Sequence, residues 1–326
     1  MNKNIIVTGG CGYIGSHVAR AFKYADAENI VTIIDTERRE HTLAGIDGFL
    51  QADFASEEAL AMIVSLEPVL IVHCAGTSLV GPSITDPGEY WDNNVSKTVK
   101  MLNVIRHMRR KPRIMFSSSA SVYGTPEFMP IVEQAVTDPV SPYGQTKLAV
   151  ERMLHDYSAG YGISSLCFRY FNAAGAMPDT YDLGQEPGAT HIIARAIEAS
   201  LTERSFTING EHFDTADGTC VRDYVHVWDI ALAHVKGYHF LTSDYPQDGA
   251  YVMNLGTGKG ISNKQIVDYV FGRYGIAQVY YGEPRPGDPA ELVADTRMAN
   301  ELLHWTPQYS DIETIIDSAY KWYRSR

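Results

Sequence analysis

Short, nearly continuous runs of Val, Ile and Leu alternate with longer mixed segments through the first half of the chain. The apolar runs predict buried strands, and the segments between them are typical of helices. The predicted strands are Ile5–Thr8, Ile30–Ile34, Phe49–Asp53, Val69–Cys74, Arg113–Ser117 and Ser164–Arg169. The predicted helices include Ala55–Ser65, Tyr90–Met108 and Tyr143–Tyr161. Apolar strands separated by helices indicate an α/β fold with a doubly wound parallel sheet.

The pattern changes after about Asn172. Gly, Pro and Asp are frequent in Ala176–Ala189 and in GEPRPGDPA at 282–290, so neither stretch is expected to be regular. Helices are predicted near Thr190–Leu201 and His226–Phe240. The sequence SNKQ at 262–265 predicts a capping box that opens another helix.

Two structural units are expected from this change of pattern. The larger takes residues 1–175 together with elements that return to its sheet at about 226–256. The smaller takes about 176–225 and 257–326, and it lies over the carboxyl edge of the sheet.

The composition narrows the function classes. Hydrophobic residues make up 45% of the chain, charged residues 20%, and the net charge is −12. This acidic balance argues against general binding to nucleic acid or to an anionic membrane. The chain starts almost directly with a strand, without the pattern of a signal peptide, and no apolar run reaches the roughly 18 residues of a membrane span. No metal site or disulfide framework is expected, and we expect a reducing cytoplasm, because the cysteines are far apart: Cys11, Cys74, Cys167 and Cys220.

A glycine-rich stretch, TGGCGYIGSH at 8–17, follows the first predicted strand and precedes a helix. Its glycines fit GxGxxG at 10, 12 and 15, or GxxGxxG at 9, 12 and 15. Such glycines let a pyrophosphate approach the backbone at a helix N-terminus, which favours anions. The motif alone is weak, and the alternative is glycines that merely turn the chain. The position between strand and helix favours dinucleotide binding.

Asp35 ends the second predicted strand, twenty residues after Gly15. A carboxylate there can accept both ribose hydroxyls of NAD and repel the 2′-phosphate of NADP. Arg38 and Arg39 are nearby and could instead hold that phosphate, so NADP stays an alternative to the favoured NAD. Asp53 follows the third strand and is either an adenine contact or an ordinary strand-end cap.

Tyr143 and Lys147 lie four residues apart at the start of a predicted helix, so both face one side of it. A tyrosine phenol ordinarily has a pKa near 10, which the Lys147 ammonium and a cationic nicotinamide ring would lower. Tyr143 is therefore expected to be a base near neutral pH, while Lys147 also holds the nicotinamide ribose. Ser119 ends the preceding strand and can hydrogen-bond the same substrate hydroxyl. The alternative is an ordinary helix with a stripe of tyrosines.

Five stretches occur in order along nearly the whole chain: TGGCGYIGSH, SSSASVYG, SPYGQTK, RYFNAAGA and DGTCVRDYVHVWD. Together they resemble the extended short-chain dehydrogenase/reductase family, and they are most similar to its UDP-glucose 4-epimerase branch. The resemblance implies a Rossmann-type sheet with a smaller C-terminal substrate-binding lobe. It also implies NAD as cofactor, a UDP-sugar substrate and a homodimer.

The resemblance carries roles onto matching positions of this chain. The implied catalytic residues are Ser119, Tyr143 and Lys147. The implied cofactor contacts are Gly9, Gly12, Tyr13, Ile14, Gly15, Asp35, Asp53, Phe54, Asn93, Tyr143, Lys147 and Tyr170. The implied substrate contacts are Ser119, Asn172, His191, Ile192, Arg222, Arg285, Asp288 and Leu292.

The two arginines match the phosphate-binding positions of the family, and a guanidinium fork suits two phosphate oxygens. Asp288 is expected to hold the uridine ribose. Plainer alternatives are a surface ion pair between Arg222 and Asp223, and a solvated loop charge at Arg285.

The positions after Ser119 bear on the reaction. Relatives that dehydrate or decarboxylate nucleotide sugars have acids there, whereas this chain has Ala120 and Ser121. With no carboxylate for elimination, reversible oxidation at sugar C4 is the expected chemistry, as in an epimerase. A net oxidoreductase of the same family is the alternative. A non-catalytic NAD-binding scaffold is disfavoured because Ser119, Tyr143 and Lys147 are all present.

Some positions depart from the commonest epimerase pattern. Asn209 stands where an aromatic residue often lies near uracil, which leaves another nucleotide open. Ser78 replaces a lysine of some members, and the loop after Asp35 reads TERRE. Leu292 takes the position that limits sugar size, where tyrosine restricts some relatives to plain hexoses. Both UDP-glucose/UDP-galactose and their N-acetylhexosamine counterparts therefore remain open.

Tyr90–Met108 and Tyr143–Tyr161 are the helices through which relatives form a dimer. Their apolar residues, among them Val95, Leu102 and Ile105, could equally pack on the sheet of their own chain. A homodimer is the favoured expectation.

Overall fold

The computed structural model of the protein describes residues 3–180, 182–243, 249–275, 278–285 and 288–326. The strands in chain order are β1 (Asn4–Thr8), β2 (Ile30–Asp35), β3 (Gly48–Gln51), β4 (Leu70–His73), β5 (Arg113–Ser119), β6 (Ser165–Tyr170), β7 (Asn172–Ala174), β8 (Phe206–Asn209), β9 (Val221–His226), β10 (Ala250–Leu255), β11 (Gly260–Ser262), β12 (Val279–Gly282) and β13 (Glu291–Leu292). The α-helices are α1 (Tyr13–Ala25), α2 (Glu57–Leu66), α3 (Val80–Thr85), α4 (Pro87–Tyr90), α5 (Lys97–Ile105), α6 (Pro142–Tyr161), α7 (Ile192–Thr202), α8 (Val227–Thr242), α9 (Asn263–Tyr274), α10 (Arg297–Leu303) and α11 (Ile312–Arg324).

A seven-stranded sheet, parallel throughout, forms the centre of the described structure in the order β10-β6-β5-β4-β1-β2-β3. The strand order reverses at β1, which pairs with β2 on one side and with β4 on the other. In such sheets ligands bind outside the carboxyl ends of the strands at the point of reversal. The predicted doubly wound, Rossmann-type fold is confirmed.

Both faces of this sheet are covered, which explains why its strands are apolar throughout. Neighbouring residues of a strand point to opposite faces. Val7 and Ile33 belong to one buried cluster, with residues of α1 and α8. Ile6 and Ile34 belong to another, with residues of α2, α5 and α6. The helices thus form a layer on each side of the sheet.

The second half of the chain builds further sheets beside the central one. β7, β11 and β13 each pair with β9, and β8 pairs with β12. Helices α7, α9 and α11 share a separate buried cluster that includes Ile197, Val270 and Trp322. Between these elements in sequence, α8 and β10 pack on or join the central sheet.

The helix predicted at Tyr90–Met108 is interrupted. After α4 the backbone forms a π-helical turn, Trp91–Ser96, and α5 ends at Ile105. The buried Asn94 anchors this turn, because its Nδ2 donates to the Thr77 carbonyl at 3.0 Å and to Thr146 Oγ1 at 3.0 Å. A widened turn of this kind has no hydrophobic period of its own, and it is frequent at functional sites.

Other boundaries differ less. The third strand ends at Gln51, so Asp53 lies in the following turn and not at the strand end. The predicted capping box is confirmed, with Ser262 Oγ accepting from the Gln265 amide at 3.1 Å and the Ser262 amide donating to Gln265 Oε1 at 2.8 Å. Of the irregular stretch 282–290, positions 286 and 287 lie outside the described residues. None of the described helices combines the length and apolar character needed to cross a bilayer.

Candidate active site

The glycine-rich turn between β1 and α1 leaves no room for a side chain at positions 9 and 15. Gly9 has a φ of +69°, and a Cβ there would lie 2.6 Å from the Ala75 amide nitrogen. A Cβ on Gly15 would lie 2.2 Å from the Gly9 carbonyl oxygen. Gly12 is the N-cap residue of α1 and makes no side-chain hydrogen bond to the helix. The N–H groups of the first helical turn, which begins at Tyr13 and Ile14, are therefore not occupied by a capping side chain. The turn therefore offers bare backbone N–H groups at a helix N-terminus, as a pyrophosphate requires.

Asp35, at the end of β2, holds this turn by a hydrogen bond to its backbone. Its Oδ2 accepts from the Cys11 amide at 2.9 Å, and its Oδ1 accepts from the Glu37 amide at 3.0 Å. Each carboxylate oxygen can accept a second hydrogen bond. Asp35 can therefore hold the loop and still accept from a ribose.

The arginines that could hold a 2′-phosphate are paired with neighbouring acids. Arg38 Nε lies 2.6 Å from Glu40 Oε1, and Arg39 bonds to Glu37. The loop after Asp35 thus carries balanced charges. Exposed pairs of this kind are weak, but together with Asp35 they favour NAD over NADP.

A cleft of about 260 Å³ lies over the carboxyl ends of β1, β2 and β4, lined among others by Gly9, Asp35, Asp53, Phe54 and Asn93. Burial tends to raise the pKa of Asp53, but hydrogen bonds from Lys97 Nζ at 2.6 Å and from the Ala55 amide at 2.8 Å lower it overall. Lys97 also donates to Asn93 Oδ1 at 3.0 Å. The structure brings these predicted cofactor contacts to one wall.

The three predicted catalytic residues lie at the end of β5 and in the first turns of α6. Ser119 Oγ accepts from the Ser121 amide at 3.2 Å. Lys147 is buried, donates to the Ser117 carbonyl at 2.8 Å, and lies 5.7 Å from the centre of the Tyr143 ring. Helix α6 begins where Ser141 Oγ accepts from the Gly144 amide at 3.1 Å. This cap fixes the turn that carries Tyr143.

Burial dominates the electrostatics of Tyr143 and Lys147 in the protein alone. Burial raises the pKa of Tyr143 to about 12, while the Ser119 side chain acts to lower it. Burial lowers the pKa of Lys147 to about 8. In the protein by itself, burial of both groups opposes the phenolate, and the expected lowering of the Tyr143 pKa by Lys147 together with a bound nicotinamide ring stays a prediction.

Two tyrosines named as cofactor contacts connect parts of the site. Tyr170 OH hydrogen-bonds Ser117 Oγ at 3.0 Å and His234 Nε2 at 2.9 Å. Tyr13 OH donates to the Gly175 carbonyl at 2.7 Å, which ties the start of α1 to the segment after β7. Both hydroxyls thus have protein partners.

Three predicted substrate contacts meet beside β9. The strand β13 pairs with β9 so that Leu292 lies opposite Arg222. Arg222 is mostly buried, and its Nη2 lies 3.1 Å from Asp288 Oδ1. Asp223 is fully buried and accepts from the backbone amides of Thr257 and Gly258 at 2.7 and 2.9 Å. The alternative of a surface ion pair between Arg222 and Asp223 is therefore wrong.

The remaining substrate positions lie around the start of α7. Asn172, His191 and Ile192 line one small cavity, and Asn172 Nδ2 donates to the Asp223 carbonyl at 3.1 Å. Removal from water lowers the pKa of His191, and the Arg285 guanidinium lowers it further. Arg285 lies in an exposed loop, where its carbonyl accepts from the Asp288 amide at 3.1 Å. Arg285 thus acts on His191 and belongs to the same loop as Asp288, the ion-pair partner of Arg222 on β9.

A chain of buried hydrogen bonds between β1 and α6 was not predicted from the sequence. Thr98 Oγ1 donates to the Asn94 carbonyl at 2.7 Å, so it accepts from His73 Nε2 at 2.9 Å. His73 Nδ1 is then the acceptor for Thr8 Oγ1 at 2.8 Å. Asn94 continues to Thr146, so the chain runs from β1 to the catalytic helix. The sequence feature that could have indicated this chain of hydrogen bonds is His73, a histidine in the apolar strand β4.

A buried ion pair was also missed. Arg169 on β6 bonds to Glu151 on α6 through Nη2–Oε2 at 2.6 Å and Nε–Oε1 at 3.0 Å. An arginine within the apolar sequence SLCFRYF, and a glutamate four residues after Lys147, were the signals for it.

Comparisons with known proteins agree with this geometry. A model of the NAD dependent epimerase/dehydratase family matches residues 5–253. The chain is 38% identical to the UDP-glucose 4-epimerase of Halalkalibacterium halodurans, over 98% of this chain and 95% of that protein. The crystal structure of UDP-glucose 4-epimerase from Brucella ovis in complex with NAD has a TM-score of 0.90 and 37% identity, covering 98% of each chain. The UDP-Glc/GlcNAc 4-epimerase of Campylobacter jejuni has a TM-score of 0.83 and 32% identity, covering 99% of this chain and 100% of that one.

The fold, the glycine turn hydrogen-bonded to Asp35, and the extent of these matches lead to one assignment. Because positions 9 and 15 carry no side chain, the turn has the open backbone that dinucleotide-binding turns of this fold have. The chain belongs to the NAD dependent epimerase/dehydratase family.

Proposed function

We propose that this protein is a UDP-glucose 4-epimerase, which interconverts UDP-galactose and UDP-glucose with NAD as bound cofactor. The observation that carries the proposal is that Ser119 ends β5 while Tyr143 and Lys147 lie in the first turns of α6, with Ala120 and Ser121 following the serine. These residues can move a proton at one carbon. No carboxylate stands at the two positions from which relatives eliminate water.

In the proposed cycle, Tyr143 takes the proton from the 4″-hydroxyl of the sugar and later returns it. Ser119 hydrogen-bonds the same hydroxyl, and Lys147 holds the nicotinamide ribose. NAD, when bound, supplies the reversible hydride acceptor for C4 and a positive charge that favours the Tyr143 phenolate. The 4-keto sugar turns within the site between the two transfers, so reduction on its opposite face inverts the centre.

The nucleotide is proposed to lie between the two units expected from the sequence. Residues 1–175 and about 226–256 hold NAD, and about 176–225 with 257–326 hold the sugar nucleotide. Arg222 and Arg285 bind the pyrophosphate, for which a guanidinium fork is suited. Asp288 then leaves Arg222 and accepts from the uridine ribose. Asn172, His191 and the Ile192 backbone complete the pocket around the nucleotide.

A second substrate pair is UDP-N-acetylglucosamine and UDP-N-acetylgalactosamine. The size of Leu292 supports this second pair. The half-buried leucine lies opposite Arg222 and is smaller than the tyrosine of hexose-restricted relatives, so it leaves more room for an N-acetyl group. The C. jejuni protein, with its two named sugars, is a relative of this kind.

A homodimer in the cytoplasm is also part of the proposal. Leu102 and Ile105 pack within the core of their own chain, so they do not serve an interface. The outer sides of α5 and α6 meet through Arg106, whose Nη1 donates to Tyr161 OH at 2.9 Å. We place the dimer contact on this side. The cysteines Cys11, Cys74, Cys167 and Cys220 are free thiols, which suits a reducing compartment.

Product analysis tests the proposal. The purified protein, without added cofactor, is incubated separately with UDP-galactose and UDP-N-acetylgalactosamine, and each reaction is followed to equilibrium by chromatography. Conversion of UDP-galactose supports the proposed activity, and conversion of both sugars makes the enzyme dual in specificity. If neither reacts, even with NAD supplied, the UDP assignment fails, with Asn209 as the first position to question.

A further inference from the structure

The buried ion pair between Glu151 and Arg169 is hydrogen-bonded to the segment 118–123, which contains Ser119. The two side chains are 4% and 6% exposed, and two parallel hydrogen bonds join them. Bidentate pairs of this type have a fixed geometry as well as charge attraction. They therefore define the distance between the elements that carry them, here α6 and β6.

The same pair holds both ends of the segment 118–123, which contains Ser119. At one end, Ser118 Oγ donates to Glu151 Oε1. At the other, Tyr123 OH accepts from Arg169 Nη1 at 2.9 Å and donates to Asn254 Oδ1 at 2.6 Å. The short turn between them is attached at both ends to one rigid unit.

Glu151 also connects this segment to the helix that carries the other catalytic groups. It lies one helical turn after Lys147 and two turns after Tyr143 on α6. A shift of α6 along the sheet would stretch the bond from Glu151 to Ser118. The ion pair thus links the position of Ser119 to that of the tyrosine and lysine.

Stability alone is a weak reason for such a pair. Replacing a buried ion pair by apolar residues of similar volume is often neutral or stabilising. Geometry is a stronger reason, because a displacement of 1 Å in a catalytic site can lower the rate about a hundredfold.

We propose that Glu151 and Arg169 are positioning residues that set the distance from Ser119 to Tyr143 and Lys147. This inference rests on the function proposed above, since it assumes that these three residues act on the sugar. Neither residue of the pair touches the reacting atoms in this arrangement. Their effect passes through Ser118 and Tyr123.

Ser118→Ala is the mildest test, because it cuts the link to β5 and leaves the ion pair in place. We expect kcat for UDP-galactose to fall about tenfold, since a small displacement of the catalytic hydroxyl suffices for such a loss. KM, the NAD content and the urea midpoint should stay at their wild-type values. The matched control is Ser165→Ala, because the buried Ser165 Oγ has no hydrogen-bond partner among the described residues. That variant should keep wild-type kcat.

The triple variant Ser118→Ala, Glu151→Leu, Arg169→Met separates position from stability. We expect its urea midpoint to stay near wild type, because both partners of the pair are replaced together. Its kcat should nevertheless fall tenfold or more, roughly, because the hydrogen bonds that fix the segment to the ion pair are then gone and only packing against α6 remains. A stable triple variant with wild-type kcat would overturn the inference. If the triple variant folds poorly, Ser118→Ala decides: normal kcat overturns the inference, and a loss not shared by Ser165→Ala supports it.

Tyr143→Phe in the same assay separates this inference from the proposed function. If Tyr143→Phe keeps full activity, the proposed catalytic role fails first. If Tyr143→Phe is inactive and Ser118→Ala is normal, only the positioning role fails.

Discussion

The two sides of the cleft differ in how their polar groups are satisfied. On the catalytic side, the groups around Ser119, Tyr143 and Lys147 are buried and bonded to fixed neighbours on β5, β6 and α6. On the nucleotide-sugar side, Arg222 is paired with Asp288 from a partly exposed loop. The proposed catalytic groups are thus held by buried neighbours, whereas the proposed phosphate-binding Arg222 is held by two backbone carbonyls and by one carboxylate that a substrate could replace. Catalysis needs fixed distances between the reacting groups. Binding of a charged substrate only needs ion-pair partners that the substrate can replace.

The largest effect is expected on the catalytic side. Tyr143→Phe should lower kcat for UDP-galactose about a thousandfold, because the general base is lost. The circular dichroism spectrum and the NAD content should not change. Tyr157→Phe on the same helix is the matched control, since Tyr157 OH bonds only to Asn103 Oδ1, at 3.0 Å, among the described hydrogen bonds. Equal activity of both variants would contradict the assignment.

Arg222→Lys tests the exchangeable side. A lysine keeps the charge but loses the planar fork, so KM for UDP-galactose should rise about tenfold while kcat changes little. Steady-state kinetics measure both values. Arg273→Lys, at a surface arginine that pairs with Asp317, is the control and should leave both unchanged. A loss in kcat at unchanged KM would place Arg222 in the chemistry instead.

The buried histidines predict how the fold responds to acid. Burial lowers the pKa of His17 and His234 to about 4, and of His73 and His226 to about 3. Below the ordinary histidine pKa the unfolded chain binds more protons than the folded one. The free energy of unfolding therefore falls as the pH drops below about 6.5, by roughly 1.4 kcal/mol per pH unit for each such histidine.

Urea denaturation at pH 7 and pH 5 measures this loss. In His73→Asn the loss between the two pH values should be smaller than in the wild type by about 1 to 2 kcal/mol. His155→Asn, at an exposed position on α6, should show the wild-type loss. An equal loss in His73→Asn and the wild type would mean that folding does not lower the pKa of His73.

Leu292→Tyr is expected to have the smallest effect on the main reaction. The larger ring should lower the turnover of UDP-N-acetylgalactosamine at least tenfold, roughly, while UDP-galactose stays within about twofold of wild type. Parallel assays with the two sugars give the ratio. If both sugars lose activity equally, Leu292 does not limit sugar size in this protein.

Features set by nearby residues were predictable from the sequence. The strands of the parallel sheet, the glycine turn and the capping box at Ser262 all depend on residues within a few positions of one another. Asp35 was identifiable because its spacing from the glycine turn is fixed by one strand and one helix. The grouping of Arg222 with Leu292 needed the pairing of β9 with β13, which no local pattern encodes.

Features set by tertiary burial were not predictable. The burial that raises the pKa of Tyr143 depends on how α6 and β5 exclude water, which no local sequence pattern encodes. The Glu151–Arg169 pair joins residues 18 positions apart on different elements. The π-helical turn at Trp91–Ser96 depends on hydrogen bonds from Asn94 to distant residues. In each case the deciding partner is distant in the sequence.

The contact between Arg222 and Asp288 has a consequence for the energetics of the proposed substrate's arrival. A pyrophosphate that binds Arg222 replaces the Asp288 carboxylate, so one anion is exchanged for another at the same cation. Asp288 is then an internal competitor, and the apparent affinity reports only the difference between the two partners. Since the net charge beside Arg222 changes less than in binding to a bare cation, salt should weaken this part of the affinity only modestly. Asp288→Asn would remove the competing carboxylate, so the affinity would then reflect the full attraction between Arg222 and the pyrophosphate. The same variant would lose the contact proposed between Asp288 and the uridine ribose.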